Sequence, residues 1–460
     1  MGQKSFQRKI GFLIADKKNK IHVAKLKQKQ FVATFQNAVR LIVVIGQAFS
    51  LMPVTGIWSD DADKVRFVRK SWKCVYSFLS IIGQSFMAVL CVNKLTYSPV
   101  TLNETSPSIY YITSVVTMIL FVRMARRWPA LAQHIAKCEE IDPNYDVNLI
   151  KKCNVTCTVV LLLALFEHIL SLLSAFAGAA TCHGDKGIYE GFVSHFYPWV
   201  FNRLSYTPLL GFVTQCLHFQ STFIWNFSDL FVINMSYYLT SRLEQVNKKL
   251  LAAQGKYLPE IFWRTMREDY CRATKVVRKA DDVISGIVFI SFANNLFYVC
   301  LQLYNTLEDG FKGAGANCNS KQKKIVLGLL GGHEAATYFL FSLVYLLSRA
   351  IAVSLIASQV NTASSVPARI LYDVPSPVYC VEVQRFLDQV NGSRVALSGL
   401  QFFLVTRGLL LTVAGTIVTY ELVMFQFSRS PSHAVTTLPN VTSTMISTTD
   451  FDNITTTATL

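Results

Sequence analysis

Glu167 and His168 stand side by side inside an apolar run, residues 154–180. An ionisable side chain at mid-bilayer depth costs about 2.5–3.5 kcal/mol on insertion scales, so it faces protein or water and usually has a task. Asp229 lies in a second apolar run, 204–241, four residues after Trp225 and hence on the same helical face. Asn294, Tyr298, Gln302 and Asn305 form a stripe on a third run, 283–307, with Asn295 beside it; His333, Glu334 and Tyr338 lie in the outer half of a fourth, 325–358. Four helices thus bring amides, carboxylates, imidazoles and aromatic rings to comparable depth. A carbohydrate asks for that mixture, because its hydroxyls need amide and carboxylate partners and its C–H face stacks on a ring such as Trp225 or Tyr298. Buried polar groups of this kind also reject ligands that lack the matching hydroxyl. The competing reading is that Glu167, His168 and Asp229 bond to one another and fix helix packing. It stays open for Glu167 and His168 and is favoured for Asp229, nearer the inner half. His195 and His218, as single histidines, read as surface or packing residues.

The last apolar span poses a second question. From Gly408 to Phe427 it is long enough to cross a bilayer, which takes about 20 residues of helix. Thr412, Thr416, Thr419, Val423 and Gln426 recur at spacings of four and three, so a helix stacks them into one polar stripe. Gly408, Thr412, Gly415 and Thr419 also make a small-residue face of the kind that packs helices closely. A water-filled conduit shared by several copies and a close helix contact are both consistent with this periodicity.

The ending Thr419-Tyr420, five residues, Gln426-Phe427 resembles the C-terminal signature of insect gustatory receptors, and Glu421 after the tyrosine is similar to that family's sugar-receptor branch. Similar texture extends upstream through Glu167-His168, Phe223 to Phe231 and Asn294 to Gln302. The resemblance implies an all-α, seven-transmembrane channel with a cytosolic N-terminus and an extracellular C-terminus. It implies opening by a mono- or disaccharide, passage of cations without strong selectivity, and assembly as a homotetramer or with related receptors. The setting would be the plasma membrane of chemosensory neurons, with membrane lipid as the surrounding partner. Thr419, Tyr420, Val423, Gln426 and Phe427 would form the pore and gate. Four Phe427 rings would block ions by dewetting, and rotation of Gln426 into the lumen would wet the passage. Glu421, about 200° around the helix from Thr419, should face neighbouring helices instead.

Composition supports the class independently. Hydrophobic residues make up 52% of the 460 and charged ones 16%, with a mean hydropathy of +0.34, which describes a polytopic membrane protein rather than a soluble domain. The formal charge of +16 is gathered in particular loops, so it speaks for membrane orientation and against nucleic acid. Eleven cysteines lack metal-ligand spacing, and no cofactor motif, nucleotide loop, nucleophile elbow or metalloprotease signature occurs, so neither an enzyme nor a metal protein is expected. A single disulfide between Cys182 and Cys318 is compatible with their loops. A transporter would show an internal repeat and broken helices, and a G-protein-coupled receptor the opposite orientation; these stand as alternatives without a pore of their own.

Eight apolar segments are visible, the first being 35–57. The basic segments 1–73, 123–152 and 242–279 share one side only if 35–57 does not cross. The sequons at Asn103, Asn440 and Asn453 then all fall outside. The expected organisation is therefore a cytosolic 1–71 with an inner-face amphipathic helix at 35–57, and a six-helix ligand-binding bundle at 72–358 with helical extensions at 242–282. A linker with a short helix follows at 359–394, then a pore helix at 395–427 and a Ser/Thr-rich extracellular tail at 428–460. Lys321, Lys323 and Lys324 are the main violation of the charge rule.

Overall fold

The computed structural model describes residues 33–97, 102–182, 187–309 and 333–428. The sequons at Asn440 and Asn453, the tail that carries them, Cys318 and the lysines at 321–324 lie outside that range, as do the side chains of Asn103, Cys182 and Phe427. Helices come in the order α1 (Phe35–Ala48), α2 (Trp72–Leu95), α3 (Leu102–Ile141), α4 (Leu149–Cys182), α5 (Ile188–Phe196), α6 (Pro198–Phe201), α7 (Pro208–Ala253), α8 (Glu260–Asp309), α9 (Glu334–Tyr372) and α10 (Val381–Gly392). A two-stranded hairpin, β1 (Ser398–Gly399) and β2 (Phe403–Leu404), leads into α11 (Arg407–Ser428).

Helices α2, α3, α4, α8 and α9 are long and apolar enough to cross a membrane. They turn Leu79, Ile82, Phe86, Leu162, Phe166 and Ile169 outward, where hydrocarbon is the compatible surrounding. Helix α11, at 22 residues, spans about 33 Å. Helix α7 stands at the centre of the bundle, in contact with α1, α3, α4, α8 and α9. Between Ser221 and Arg242 it is buried at almost every position. That explains its polar content: Asn226, Ser228, Asn234 and Ser236 are wrapped by protein, and the side chains of Asn234 and Ser236 are satisfied by carbonyls one turn back, at 2.9 and 2.7 Å.

The segment around α1 departs from the sequence expectation. A helix over 35–57 lying on the membrane face is expected, yet the helix stops at Ala48 and buries Phe35, Ala38, Val39, Ile42 and Val43 within the bundle. Ser50 and Met52 take positive φ, 64° and 53°, and the Gln47 amide holds the carbonyls of Met52 and Val54 at 3.1 and 2.7 Å, folding the chain back. Gly46 makes the close approach to α7 possible, since a Cβ there would lie 2.6 Å from the Phe227 ring.

The segment 395–427 is not one helix either. Leu400 and Gln401 are left-handed (φ 48° and 63°), so 398–404 closes a hairpin and α11 begins only at Arg407. Asp281 on α8 fixes the hairpin by accepting from the Ser398 amide at 2.6 Å and hydroxyl at 2.7 Å.

Below the apolar stretches, α7 and α8 run on as the alternation of charged and apolar residues in 242–282 requires. Arg242 donates to the Asp142 carbonyl at 2.6 Å, Lys249 bridges Asp142 and Asp269, and Arg267 reaches Glu382 on α10 at 2.9 Å. This is the basic end of the bundle.

Candidate functional site

At the opposite end, a cavity of about 720 Å³ opens among α3, α4, α7, α8 and α9, roofed by α5 and α6. Helix α4 lines it with Glu167, His168 and Ser171, α7 with His218, Thr222 and Trp225, α8 with Tyr298, Gln302 and Asn305, and α9 with Tyr338 and Ser342. Apart from the adjacent Glu167 and His168, the residues of each set are three or four apart, so each helix offers one face. The roof forms because α5 and α6 pack Phe192, Val193, Tyr197 and Val200 against Met87, Tyr111 and Ala175 in a second apolar cluster, leaving His195 and Trp199 on the cavity side.

Part of the polar lining is already engaged. Ser342 donates to Glu167 at 2.6 Å, the Tyr110 and Thr222 hydroxyls meet at 2.8 Å, and the Tyr111 hydroxyl meets His218 Nδ1 at 3.1 Å. Another part is not. The Trp225 and Trp199 indole N–H groups, the Tyr298 hydroxyl and Asn305 Oδ1 are buried without a protein partner. Leaving such a group unsatisfied costs about 1–3 kcal/mol. The Trp225 and Tyr298 rings lie 4.7 Å apart and give the cavity an aromatic wall. The lining thus combines free hydrogen-bonding atoms with an aromatic face, a surface able to hydrogen-bond hydroxyls and to stack on an apolar ring face.

Below the aromatic wall lies a buried charge cluster. Arg349 Nε is 2.9 Å from Asp229 Oδ2, Asn295 donates to the same carboxylate at 3.1 Å, and Ser291 donates to its other oxygen. Arg349 also donates to Asn226, whose amide oxygen accepts from Tyr345 at 2.9 Å.

A family model described as trehalose receptor matches residues 16–315 and 325–435. The chain belongs to that family. Curated relatives of this trehalose-receptor family member come from Drosophila melanogaster. The gustatory receptor for sugar taste 64f is 33% identical over 86% of this chain and 81% of its own, and gustatory receptor 5a for trehalose is 30% identical over 86% and 85%. Among solved structures, the insect olfactory receptor OR5 from Machilis hrabei in complex with eugenol aligns at a TM-score of 0.58 and 15% identity, over 85% of this chain and 97% of that one. This likeness shows the fold: a polytopic all-α membrane bundle of the insect chemoreceptor kind.

The residues selected from sequence fall into two groups. Glu167, His168, Trp225, Tyr298, Gln302 and Tyr338 line the cavity together. Asp229, Asn294, Asn295 and Glu334 do not line it; all four are buried, Asp229 and Asn295 within the charge cluster. His195 and His218 agree with their sequence reading as surface and packing residues, His195 being exposed and His218 packed among Tyr110, Tyr111, Phe196 and Tyr197, and both also border the cavity. Arg349 carries the same signal that singles out Asp229, the cost of a charge within an apolar run, here 325–358. The aromatic pair Tyr110-Tyr111 carries no such signal.

On α11, Thr412, Thr416, Thr419, Val423 and Gln426 are exposed, whereas Glu421 is 8% exposed and turned toward the bundle. The three threonine hydroxyls donate to carbonyls one turn back at 2.9–3.2 Å, leaving their lone pairs outward.

Proposed function

We propose that this chain is a cation channel opened by a mono- or disaccharide that binds in the cavity. The observation that carries the reading is the cavity's unpartnered set, Trp225 Nε1, Tyr298 OH and Asn305 Oδ1, beside the Glu167 carboxylate and an aromatic wall. A polyol satisfies those groups, and an apolar odorant-like molecule does not. The size fits: about 720 Å³ falls within the 300–1,000 Å³ typical of small-ligand pockets. Relatives named for sugar taste and for trehalose support the ligand class.

In this reading four copies surround a pore lined by α11, with Gln426 and Phe427 at its gate, alone or together with related receptors. The basic end faces the cytosol, as retention of positive charge requires. The cavity then opens outward at the plasma membrane of chemosensory neurons. Sugar opens the pore only if it binds the open arrangement more tightly than the closed one.

Purified protein in a planar bilayer should pass discrete single-channel currents on addition of a disaccharide. Slow sugar uptake without such currents would mark a transporter, and sugar binding without any conductance a receptor lacking its own pore; either result would overturn the proposal.

A further inference from the structure

A second concavity, about 730 Å³, opens where the segment Asp63–Arg69 passes the flank of α3, and it shares no lining residue with the first. Arg66 and Arg69 enter it from the segment and Arg126 from α3, with Gln133 two turns further along and Phe67 as an apolar wall. The segment is held in place: Val65 is fully buried, and the Arg66 main chain pairs with Thr55 at 2.9 and 3.1 Å. The Arg126 guanidinium carbon lies 5.9 Å from the centre of the Phe67 ring.

The charge here differs in kind from the rest of the basic end. Arg242, Lys249 and Arg267 are each matched by a carboxylate. Among the described residues, Arg66, Arg69 and Arg126 make no ion pair, and Asp63 is the one acidic group on the wall, so three guanidiniums face one carboxylate. Retention of positive charge on one side of a membrane accounts for the number of such residues. It does not account for three of them converging on a fixed hollow.

The depth of the hollow is set by its neighbours. Helix α2 begins at Trp72, which is 70% exposed, and Val68 and Val75 beside it are 42% and 51% exposed. An outward tryptophan at the start of a span marks the membrane interface. On α3 the charged stretch starts at Arg123, and Arg126 lies about one turn beyond it. The hollow therefore sits at headgroup level, with apolar side chains next to it on the bilayer side.

We propose that this hollow binds the headgroup of a phosphoinositide, a lipid bearing phosphate monoesters, in the leaflet at the basic end. Guanidinium forks match phosphate oxygens in pairs, and several monoesters on one ring use several arginines at once. Basic pockets at this depth hold such headgroups in membrane proteins generally. Val68 and Trp72 make the lipid, rather than a soluble phosphate, the fitting source. Assignment to the cytosolic leaflet rests on the orientation proposed above, whereas binding itself does not.

The test uses the detergent-solubilised full chain and the fluorescence anisotropy of a labelled short-chain phosphatidylinositol 4,5-bisphosphate, in which both faces are accessible and no sugar is present. The triple substitution Arg66→Gln, Arg69→Gln, Arg126→Gln should weaken binding at least tenfold and Arg126→Gln alone several-fold. The charge-matched control Lys248→Gln, Lys256→Gln, Lys279→Gln, at exposed positions of the same end, should leave it within twofold. Unlabelled short-chain phosphatidylserine and inositol 1,4,5-trisphosphate should compete at least tenfold less well than the unlabelled lipid. Unchanged binding by the triple variant, an equal loss in the control, or competition by the free inositol phosphate as strong as by the lipid would each overturn the proposal. If the triple variant does not elute as the native protein does, Arg126→Gln decides. A channel that ignores sugar would leave this result untouched, so the two proposals fail separately.

Discussion

The guanidinium carbon of Arg349 lies 4.3 Å from the centre of the Trp225 ring. That indole lines the cavity and also lies against Arg349, the cation of the ion pair with Asp229. Ligand space and a fully buried pair of charges thus share one wall. Any tilt of the ring on ligand binding must be felt by α7 and α9 together, since the pair joins those two helices.

Breaking a buried ion pair by removing one partner costs about 3–5 kcal/mol, because the remaining charge is stranded, whereas replacing both by apolar groups is often close to neutral. Arg349→Met should therefore lower the thermal stability of the solubilised protein sharply. Adding Asp229→Leu should restore much of it. Melting curves followed by fluorescence-detected size exclusion test this, and an Arg349→Met protein as stable as the wild type would show that the pair contributes nothing to folding.

The Tyr298 hydroxyl has no protein partner, so its removal separates ligand binding from stability. Tyr298→Phe should leave the melting temperature unchanged within error while raising the half-maximal sugar concentration roughly five- to tenfold, equivalent to one hydrogen bond of about 1–1.5 kcal/mol. Trp225→Ala should affect both, because it also uncovers Arg349. A Tyr298→Phe channel with unaltered sugar response would move the ligand away from α8.

What could be read from sequence followed from repeated spacing and from charge placed in apolar runs. Of the stripe Asn294-Tyr298-Gln302-Asn305, the last three face the cavity because a helix stacks positions three and four apart, while Asn294 lies too far down α8 to line it. The same geometry turns Glu421 inward and Thr412 outward on α11. Features that depend on a few backbone angles leave little trace. The apolar run through Leu397, Phe402, Phe403 and Leu404 reads as helix, yet left-handed Leu400 and Gln401 make it a hairpin. The roof of α5 and α6 is likewise hidden, since its burial depends on partners far along the chain such as Met87 and Tyr111. The packing role that the sequence favours for Asp229 has its partner, Arg349, 120 residues away, which spacing alone does not reveal.

The hairpin before α11 relies on an aromatic ring lying over a glycine. A Cβ at Gly399 would fall 2.3 Å from Phe403 Cζ, closer than atoms can approach. Gly399→Ala should cost about 1–3 kcal/mol through overpacking. Phe403→Leu should partly relieve that cost in the double variant, although on its own it loses contact with Phe289 and Phe292. Thermal shifts of the three variants give the coupling, and simple additivity would show that ring and glycine do not meet.

Glu382 clamps α10 to α8. Arg385 donates to it at 2.7 Å and Arg267 at 2.9 Å, and these two guanidiniums hold its carboxyl below the usual glutamate range. A group with a depressed folded-state pKa gives stability that is fully present above its unfolded pKa and is lost as pH falls through the folded value. The clamp should be constant from neutral pH down to about pH 5 and weaken only further into acid. Hydrogen exchange of α10 amides should show wild type and Glu382→Gln differing at pH 7 and converging below about pH 4. A difference that persists in acid would place the clamp elsewhere.

The proposed gate gives the sharpest electrical test. In the proposed tetramer the threonine stripe of α11 would face the shared axis, with Glu421 turned into the bundle and Gln426 and Phe427 at the C-terminal end of the helix. An apolar ring there stops ions because water leaves a narrow hydrophobic constriction, with no need for a steric plug. Phe427→Ser should therefore leak without sugar, whereas Phe427→Leu, still apolar, should stay closed at rest. Gln426→Leu should bind sugar as the wild type does and pass much less current, since no polar side chain would then wet the opening. Single-channel recording of the three variants distinguishes dewetting from size: Phe427→Leu leaking as much as Phe427→Ser would point to a steric block, and a silent Phe427→Ser would remove the gate from this residue altogether.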